Sequence, residues 1–468
     1  MRPRALRARH VDAGTGTAEA EARDEEVRPG SSGRPASGAG PVPRRGRRAS
    51  SAPVPDPAEP GGAVSASAAA APVELRLDPS PTAMVWTEPG RRHEAVAVPT
   101  VVLAPGDVLV ALELTTICGS DVHTTRGDRS APAPLVLGHE QVGRVVAVGS
   151  GAAAVDGSPL VPGQRVVWSL TVSCGRCATC RRGLPQKCES VLKYGHERLV
   201  TGWELSGGFA THVHVRAGTA VVPVADDLDA ALLAPVSCGT ATARAALDAA
   251  AQVTDLEGAV VLVLGAGLIG LTVAAMASDS GARVVVVYPD ASRRALAARF
   301  GAVATACPTS APGSDDSVEH ALRAAGGAPL VAVEASGSSA AVASALTLLG
   351  TGGVAVLVGS VFPAPAVPFD AESVVRRLVT VRGVHNYAPR HLVEAVRFVE
   401  ERHGAWPLHE LVGEVVDLAE LDAGIAAAAA MPASSSASAT TSPTSSASGH
   451  AVCRSSTKRA AATRCRGA

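Results

Sequence analysis

The sequence predicts an α/β protein built around a doubly wound parallel sheet. Three observations carry this. A G-x-G-x-x-G turn, Gly265, Gly267 and Gly270, joins an apolar run to an Ala-rich helical segment. Apolar runs then alternate with helix-like segments as far as GGVAVLVGSV at 352–361. The composition is 47% hydrophobic but only 3% aromatic, so the core must be built of Val, Leu and Ala, which suits tightly packed strands and a glycine turn.

The 468 residues suggest two or three domains. The formal net charge of −1 hides an uneven distribution. Residues 1–80 hold 12 Arg and 10 acids, and residues 432–468 hold five basic residues and no acid. That leaves 25 basic and 33 acidic residues in 81–431, an acidic body with a net of −8. Such a balance argues against a nucleic-acid binder working through bulk charge. Only three basic residues are Lys: Lys187, Lys193 and Lys458.

Residues 1–81 read as a disordered N-terminal extension, because their Arg, Ala, Gly, Pro and Ser offer too little apolar surface to offset chain entropy. Ordered-looking sequence begins near Met84. Met1–His10 is Arg-rich, but no long apolar segment follows, so it is not a secretory signal. Residues 432–468 read as a polar disordered tail in which Cys453 and Cys465 are incidental. The uncharged segment Gly258–Ser278 is long enough for a membrane span, but it divides into a Val/Leu run, a glycine turn and a helix.

The first chemical signal along the chain is ICGSDVHTTRG followed by LVLGHEQVGRVVAVGSG. Cys118 and His139 are both good zinc ligands, and Cys238, in LLAPVSCGTATARAAL, is the candidate third. Two Cys and one His leave a fourth position for substrate. A zinc ion there lowers the pKa of a bound hydroxyl, so that an alcohol becomes an alkoxide and expels hydride more readily. Ser120 and His123 are placed to pass the released proton to water. Asp121 is placed to hydrogen-bond the ring of His139. Capping of a local turn is the equal alternative for Ser120 and Asp121.

Cys174, Cys177, Cys180 and Cys188 follow with the spacing C-x2-C-x2-C-x7-C. Four thiolates this close can surround one zinc tetrahedrally, and a full set of protein ligands makes the site structural. Iron–sulfur ligation and disulfides are the alternatives, although the Gly/Arg-rich loop is unlike a secreted mini-domain.

In AVVLVLGAGLIGLTVAAMASDSGARVVVVYPD, Ala259–Leu264 reads as a strand, Leu268–Ser278 as a helix and Arg283–Val287 as a second strand. Gly265, Gly267, Leu268, Ile269 and Gly270 would cradle a dinucleotide pyrophosphate at the helix N-terminus. Tyr288 stands where an NAD site usually has an acid. Asp290 is then the candidate for the ribose, and Arg293 for the 2′-phosphate of NADP. The reading favours NAD, with NADP as the alternative.

Other residues receive structural readings. His212 and His214 share one strand face and read as surface-facing. Trp168 and Trp203 read as core, Cys307 as a buried small residue, and His196 and Glu197 as structural rather than cleft-lining.

Taken together, C-G-S-D-x-H, G-H-E, the four-cysteine lobe and GAGLIG resemble the zinc-dependent alcohol dehydrogenases of the medium-chain dehydrogenase/reductase superfamily. Segments LPQKCESVLKYGHE, PVSCGTATARAAL and GVHNYAPRHL look similar to alcohol dehydrogenases associated with phosphonate catabolism. The resemblance implies a GroES-like, mostly β catalytic domain over 82–238, with the zinc lobe at 174–188. It further implies a Rossmann domain over 239–383 and a return to the catalytic domain over 384–431. It assigns catalytic zinc to Cys118, His139 and Cys238, structural zinc to the four-cysteine lobe, and a role near the metal to Glu140. It implies interconversion of a small alcohol with an aldehyde or ketone, two zinc ions per chain and NAD. It also implies a cytoplasmic homodimer or homotetramer with no nucleic-acid or membrane partner. A polyol or cyclitol dehydrogenase is the alternative within the superfamily. Members close with a short strand carrying Lys or Arg and Val, yet here the pattern dissolves after Ile425. A catalytically impaired dinucleotide-binding protein is therefore the second alternative.

Overall fold

The computed structural model describes residues 71–430 and the backbone of 450–454. Six parallel strands form one sheet: Val260–Leu264, Arg283–Val287, Ala302–Ala306, Val331–Glu334, Val354–Leu357 and Thr380–Gly383. Numbered along the chain, they lie in the order 3-2-1-4-5-6. The central strands are continuous Val, Leu and Ala runs because helices cover both faces, and Val261, Leu262 and Val263 are wholly buried. Helix Leu268–Asp279 follows the first strand. The order reverses between the first and fourth strands, which opens a crevice at their carboxyl ends. The doubly wound prediction and its strand boundaries thus hold to within a few residues. Gly258–Ser278 falls into the first strand and the buried first helix. Among the described residues no single helix is long and apolar enough to cross a membrane.

The second large sheet is mixed. Its main path runs Thr219–Pro223, Arg165–Val172, Glu140–Val148, Val108–Thr116, His450–Arg454 and Val412–Asp417. Val412–Asp417 comes from the C-terminal segment, so the chain returns to this sheet after the parallel one.

Both predicted termini need correction. Val73–Leu75 is a strand paired antiparallel with Val101–Leu103, inside the stretch read as disordered extension. At the other end, Leu421–Ala430 stays helical beyond Ile425, as an Ala run with high helix propensity should. His450–Arg454 then lies between Val108–Thr116 and Val412–Asp417, within the stretch read as disordered tail. Five residues amid Ser-rich sequence give little local signal; two flanking strands supply the pairing. A short strand from this segment therefore does pair at that position in the sheet, where the sequence pattern breaks off after Ile425.

His214 is also corrected. It is buried, and its Nε2 lies 2.8 Å from Asp107 Oδ2. Asp107 further accepts the N–H groups of Ala104 and Ala217, and so ties two loops to strand His212–Val215. Burial raises the Asp107 pKa, but His214, the Ala217 N–H and the Arg216 charge outweigh it and hold the carboxyl below its usual 3.8. A depressed carboxylate pKa adds stability above pH 3.8 that is lost as pH falls through the folded value. Asp107→Asn is expected to cost about 3 kcal/mol at pH 7, and less in acid, as measured by urea unfolding at several pH values. An equal loss at every pH contradicts this account.

Candidate active site

Cys118 ends the run that begins with strand Val108–Thr116 and caps helix Gly119–Arg126. Its backbone N–H donates to Asp121 Oδ2 at 3.0 Å, so C-G-S-D is a capping box. The other Asp121 oxygen lies 3.5 Å from His139 Nδ1 and accepts the Gly138 N–H at 3.4 Å. Asp121 therefore caps the turn and also faces the His139 ring. Cys238 arrives from far along the chain. Ser237 beside it donates to the His139 carbonyl and accepts from Gln141 N–H, both at 3.3 Å. The buried Tyr387 hydroxyl donates to the Ser237 carbonyl and accepts from Leu170 N–H, which holds that corner from a third segment.

These contacts bring one ligand atom each of Cys118, His139, Glu140 and Cys238 within 4.8 Å of one another. Glu140 is wholly buried and accepts from the Thr116 hydroxyl. The Cys238 thiol is pushed well up by Cys118, then by burial and Glu140. Two thiolates and a carboxylate this close cannot all hold charge unless a cation sits among them. Burial disfavours a charged His139, yet Asp121 and Cys118 overcome it and raise its pKa. The donor set therefore fits zinc: soft sulfur, one imidazole and a negative surround.

Cys174, Cys177, Cys180 and Cys188 also form one group within 4.8 Å. Sγ–Sγ distances are 3.5 Å for Cys174–Cys188 and 3.9 Å for Cys177–Cys188, too long for disulfides. A tetrahedron with Zn–S bonds near 2.3 Å has edges of about 3.8 Å. Backbone N–H groups of Cys174, Cys177 and Cys180 donate to neighbouring sulfurs at 3.3–3.4 Å. Cys174 N–H lowers the Cys188 thiol to about 6, whereas burial and neighbouring thiols push Cys180 up to about 12.

At the cofactor turn, Gly265 has a φ of +127° and Gly270 sits so close that a Cβ there would lie 2.0 Å from the Gly265 carbonyl oxygen. Gly267 faces open space at the N-terminus of the helix, as approach of a pyrophosphate requires. Leu268 and Ile269 follow in the first helical turn. Tyr288 follows the second strand half-buried, its pKa raised by burial. Asp290 departs from the simple expectation: its Oδ1 caps helix Ala291–Arg299 through Arg293 N–H at 2.9 Å and accepts from Ser292. Arg293 Nη1 donates to Ala266 carbonyl at 3.3 Å, so its guanidinium lies on the glycine turn.

One cavity of about 360 Å³ joins these parts, with Cys118, His139, Cys238, Gly267 and Ile269 all in its wall. Ser120 Oγ lies 3.4 Å from His139 Nε2. His123 lines the same cavity further out, 3.2 Å from Asp128 and with its ring against Phe362. His196 is not merely structural: it lines the cavity with its ring centroid 4.9 Å from that of His139. Glu197 is structural, accepting the Lys193 N–H. Trp168 and Trp203 are core, as expected, but Cys307 is half-exposed rather than buried.

Several contributors escaped the sequence reading. Glu334, wholly buried at the end of a strand, accepts from Ser336, Gly337 and Ser360 and pins two cavity-lining loops. Arg129, Lys193 and His385 also line the cavity. Lysine scarcity was the one available clue, since Lys193 lines the cavity and Lys187 contacts His385 in its wall.

Residues 104–226 match the model of the alcohol dehydrogenase GroES-like domain, and residues 269–401 that of the zinc-binding dehydrogenases. Geraniol dehydrogenase of Castellaniella defragrans is 33% identical over 298 residues, covering 59% of this chain and 76% of the relative. L-threonine 3-dehydrogenase of Coxiella burnetii is 32% identical over 287 residues, covering 60% and 76%. Among solved structures, an alcohol dehydrogenase of Thermotoga maritima superposes with a TM-score of 0.71 at 26% identity, covering 80% of this chain and 99% of that one. A zinc-binding dehydrogenase of Sinorhizobium meliloti bound to NADP gives 0.66 at 25% identity, with 80% and 99% covered.

Proposed function

The chain belongs to the zinc-dependent alcohol dehydrogenases of the medium-chain dehydrogenase/reductase superfamily, and from that premise we propose how its own residues divide the work. The reaction is interconversion of an alcohol with an aldehyde or ketone, by hydride exchange with a nicotinamide cofactor. The observation that carries the site assignment is the convergence of Cys118, His139 and Cys238 on one cavity with the glycine turn. Zinc held by these three residues would supply a Lewis acid that lowers the pKa of the substrate hydroxyl. Asp121 orients His139 through Nδ1 and leaves Nε2 facing the cavity. Ser120 takes the hydroxyl proton, and the half-exposed His123 releases it to solvent. Glu140, buried beside the three ligands, would add negative charge to a metal held there. Cys174, Cys177, Cys180 and Cys188 hold the structural zinc.

The catalytic domain comprises 82–238 and 384–431 together with the strands Val73–Leu75 and His450–Arg454, and the Rossmann domain 239–383. A homodimer or homotetramer fits the edge strand Thr380–Gly383, near which Phe369, Val375, Leu378 and Val381 lie exposed. The seven cysteines with described side chains form no disulfide, which suits a reducing cytoplasm.

The cofactor assignment stays with NAD. Residue 288 lacks the carboxylate that repels a 2′-phosphate, and Arg293 opposes Asp290, so the preference should be small. Steady-state kinetics with a panel of alcohols, followed by nicotinamide absorbance, should show turnover with a kcat/KM for NAD at most about tenfold above that for NADP. A strong NADP preference overturns the NAD assignment, and no turnover across the panel overturns the proposed site.

A further inference from the structure

Glu334 ends the fourth strand of the parallel sheet with its side chain wholly buried, and the assignment above gives its charge nothing to do. Its Oε1 accepts the N–H groups of Ser336 and Gly337, both at 2.6 Å, and the Ser336 hydroxyl at 2.8 Å. Its Oε2 accepts the Ser360 hydroxyl at 3.0 Å. Every contact brings hydrogen to oxygen, which is the surround of a carboxylate anion. Among the described residues no Arg, Lys or His nitrogen lies within 4.0 Å of either oxygen. Burying a charge without a counter-ion is costly, and a Gln here would fill the same space and offer the same acceptor. Fastening the two loops therefore does not explain the charge.

Its place in the sheet does. The strand order reverses between the first and fourth strands, and a dinucleotide lies across the crevice at that reversal. The pyrophosphate seat, Gly267, follows the first strand, and Tyr288 and Asp290 follow the second. The metal-binding cysteines and His139 stand on the other side of the same cavity, whose wall also holds Ala335 and Gly359. A cofactor seated on the glycine turn, with its reactive ring at the Cys118–His139–Cys238 centre, must cross the carboxyl end of the fourth strand. The loops there are tightly interlocked, since a Cβ on Gly359 would lie 2.4 Å from the Gly337 nitrogen, so the carboxylate keeps its place.

Hydride transfer changes the charge at that crossing. In alcohol oxidation hydride leaves the carbinol carbon for the nicotinamide ring, the carbonyl bond forms, the hydroxyl proton leaves, and the positive charge of the ring is lost. A fixed anion in a buried wall favours the charged form of the ring. Arg129 and Lys193 make a cationic wall on the His196 side of the cavity, and Glu334 is an opposing charge on the Rossmann side.

We propose that Glu334 is a specificity residue for the redox state of the cofactor. Its carboxylate tightens binding of NAD relative to NADH and so shifts the bound equilibrium toward the alcohol. This rests on the cofactor site proposed above. Dissociation constants for NAD and for NADH are measured by calorimetry on wild type, Glu334→Gln and Ser360→Lys, with zinc content measured in each. Gln keeps an oxygen for the three donors on Oε1 and turns an N–H toward Ser360, so the charge is what it removes. Ser360 is exposed, and Lys there brings an ammonium to Oε2 without entering the core. A unit charge acting across about 10 Å, at an effective dielectric of about 20 to about 40, changes affinity about 4-fold to about 16-fold. The ratio of the NAD to the NADH dissociation constant should therefore rise at least about fourfold in Glu334→Gln, and in the same direction in Ser360→Lys. A purely structural role would weaken both forms alike and leave the ratio where it is. A ratio that does not rise in Glu334→Gln overturns the proposal; should that variant fail to fold, Ser360→Lys decides by the same criterion. An unmoved ratio with both forms still bound leaves the active-site assignment intact, whereas wild type that binds neither form overturns both.

Discussion

Cys118→Ala should lower kcat/KM by about 10³-fold or more and reduce zinc from about two ions per chain to about one. The size follows from the charge balance at the site. A Lewis acid at a developing oxyanion supplies several kcal/mol, and about 4 kcal/mol corresponds to about 10³ in rate. Removing one of three protein ligands leaves His139 and Cys238, a pair too weak to hold the ion against solvent. The four-cysteine lobe shares no ligand with this centre, so its metal should stay. Cys118 also caps helix Gly119–Arg126, and Ala at that position costs about 1 kcal/mol. Thermal unfolding alongside metal analysis separates this modest loss from the catalytic one. Retention of both zinc ions, or of activity, contradicts the assignment of Cys118.

What was legible in the sequence was local. The glycine turn, its flanking strand and helix, and the four-cysteine lobe each lie within about one turn or loop, where spacing and periodicity report geometry directly. Cys238 needed more. It is brought to His139 by Ser237 and Tyr387, contacts that span 98 and 150 residues and leave no periodic trace. His212 and His214 show the same limit. Alternation placed them correctly on a strand, but the partner that buries His214 is Asp107, more than 100 residues upstream. The cationic wall was invisible for a related reason: Arg129, Lys193 and His385 come from three separate segments. Asp290 carries a capping role that the sequence reading did not assign, because one residue can satisfy two rules. Its spacing suited a ribose ligand, yet the same spacing made it the cap of the next helix.

Gly267 and Gly270 belong to one motif but should fail in opposite ways when changed to Ala. At Gly270 the new Cβ would lie 2.0 Å from the Gly265 oxygen and 2.9 Å from its carbonyl carbon, and both atoms are backbone. The turn cannot give way easily, because Gly265 itself packs against the backbone of Ala335 and Ser336. Helix Leu268–Asp279 must therefore lift off the sheet, and overpacking of this kind costs about 1–3 kcal/mol. Gly270→Ala should lower the melting temperature and, by displacing the helix N-terminus, weaken NADH binding about 100-fold. At Gly267 no heavy atom lies within 4 Å of the added Cβ, and its φ of −82° suits any residue. Gly267→Ala should thus stay within about 1 kcal/mol of wild type, the difference between Gly and Ala at a helix N-cap. Its NADH affinity should still fall at least about tenfold, since the open space is where the pyrophosphate approaches. Calorimetric melting and NADH fluorescence titration on both variants decide the matter. Equal loss of stability in the two, or undiminished NADH binding by Gly267→Ala, contradicts this division of labour within the turn.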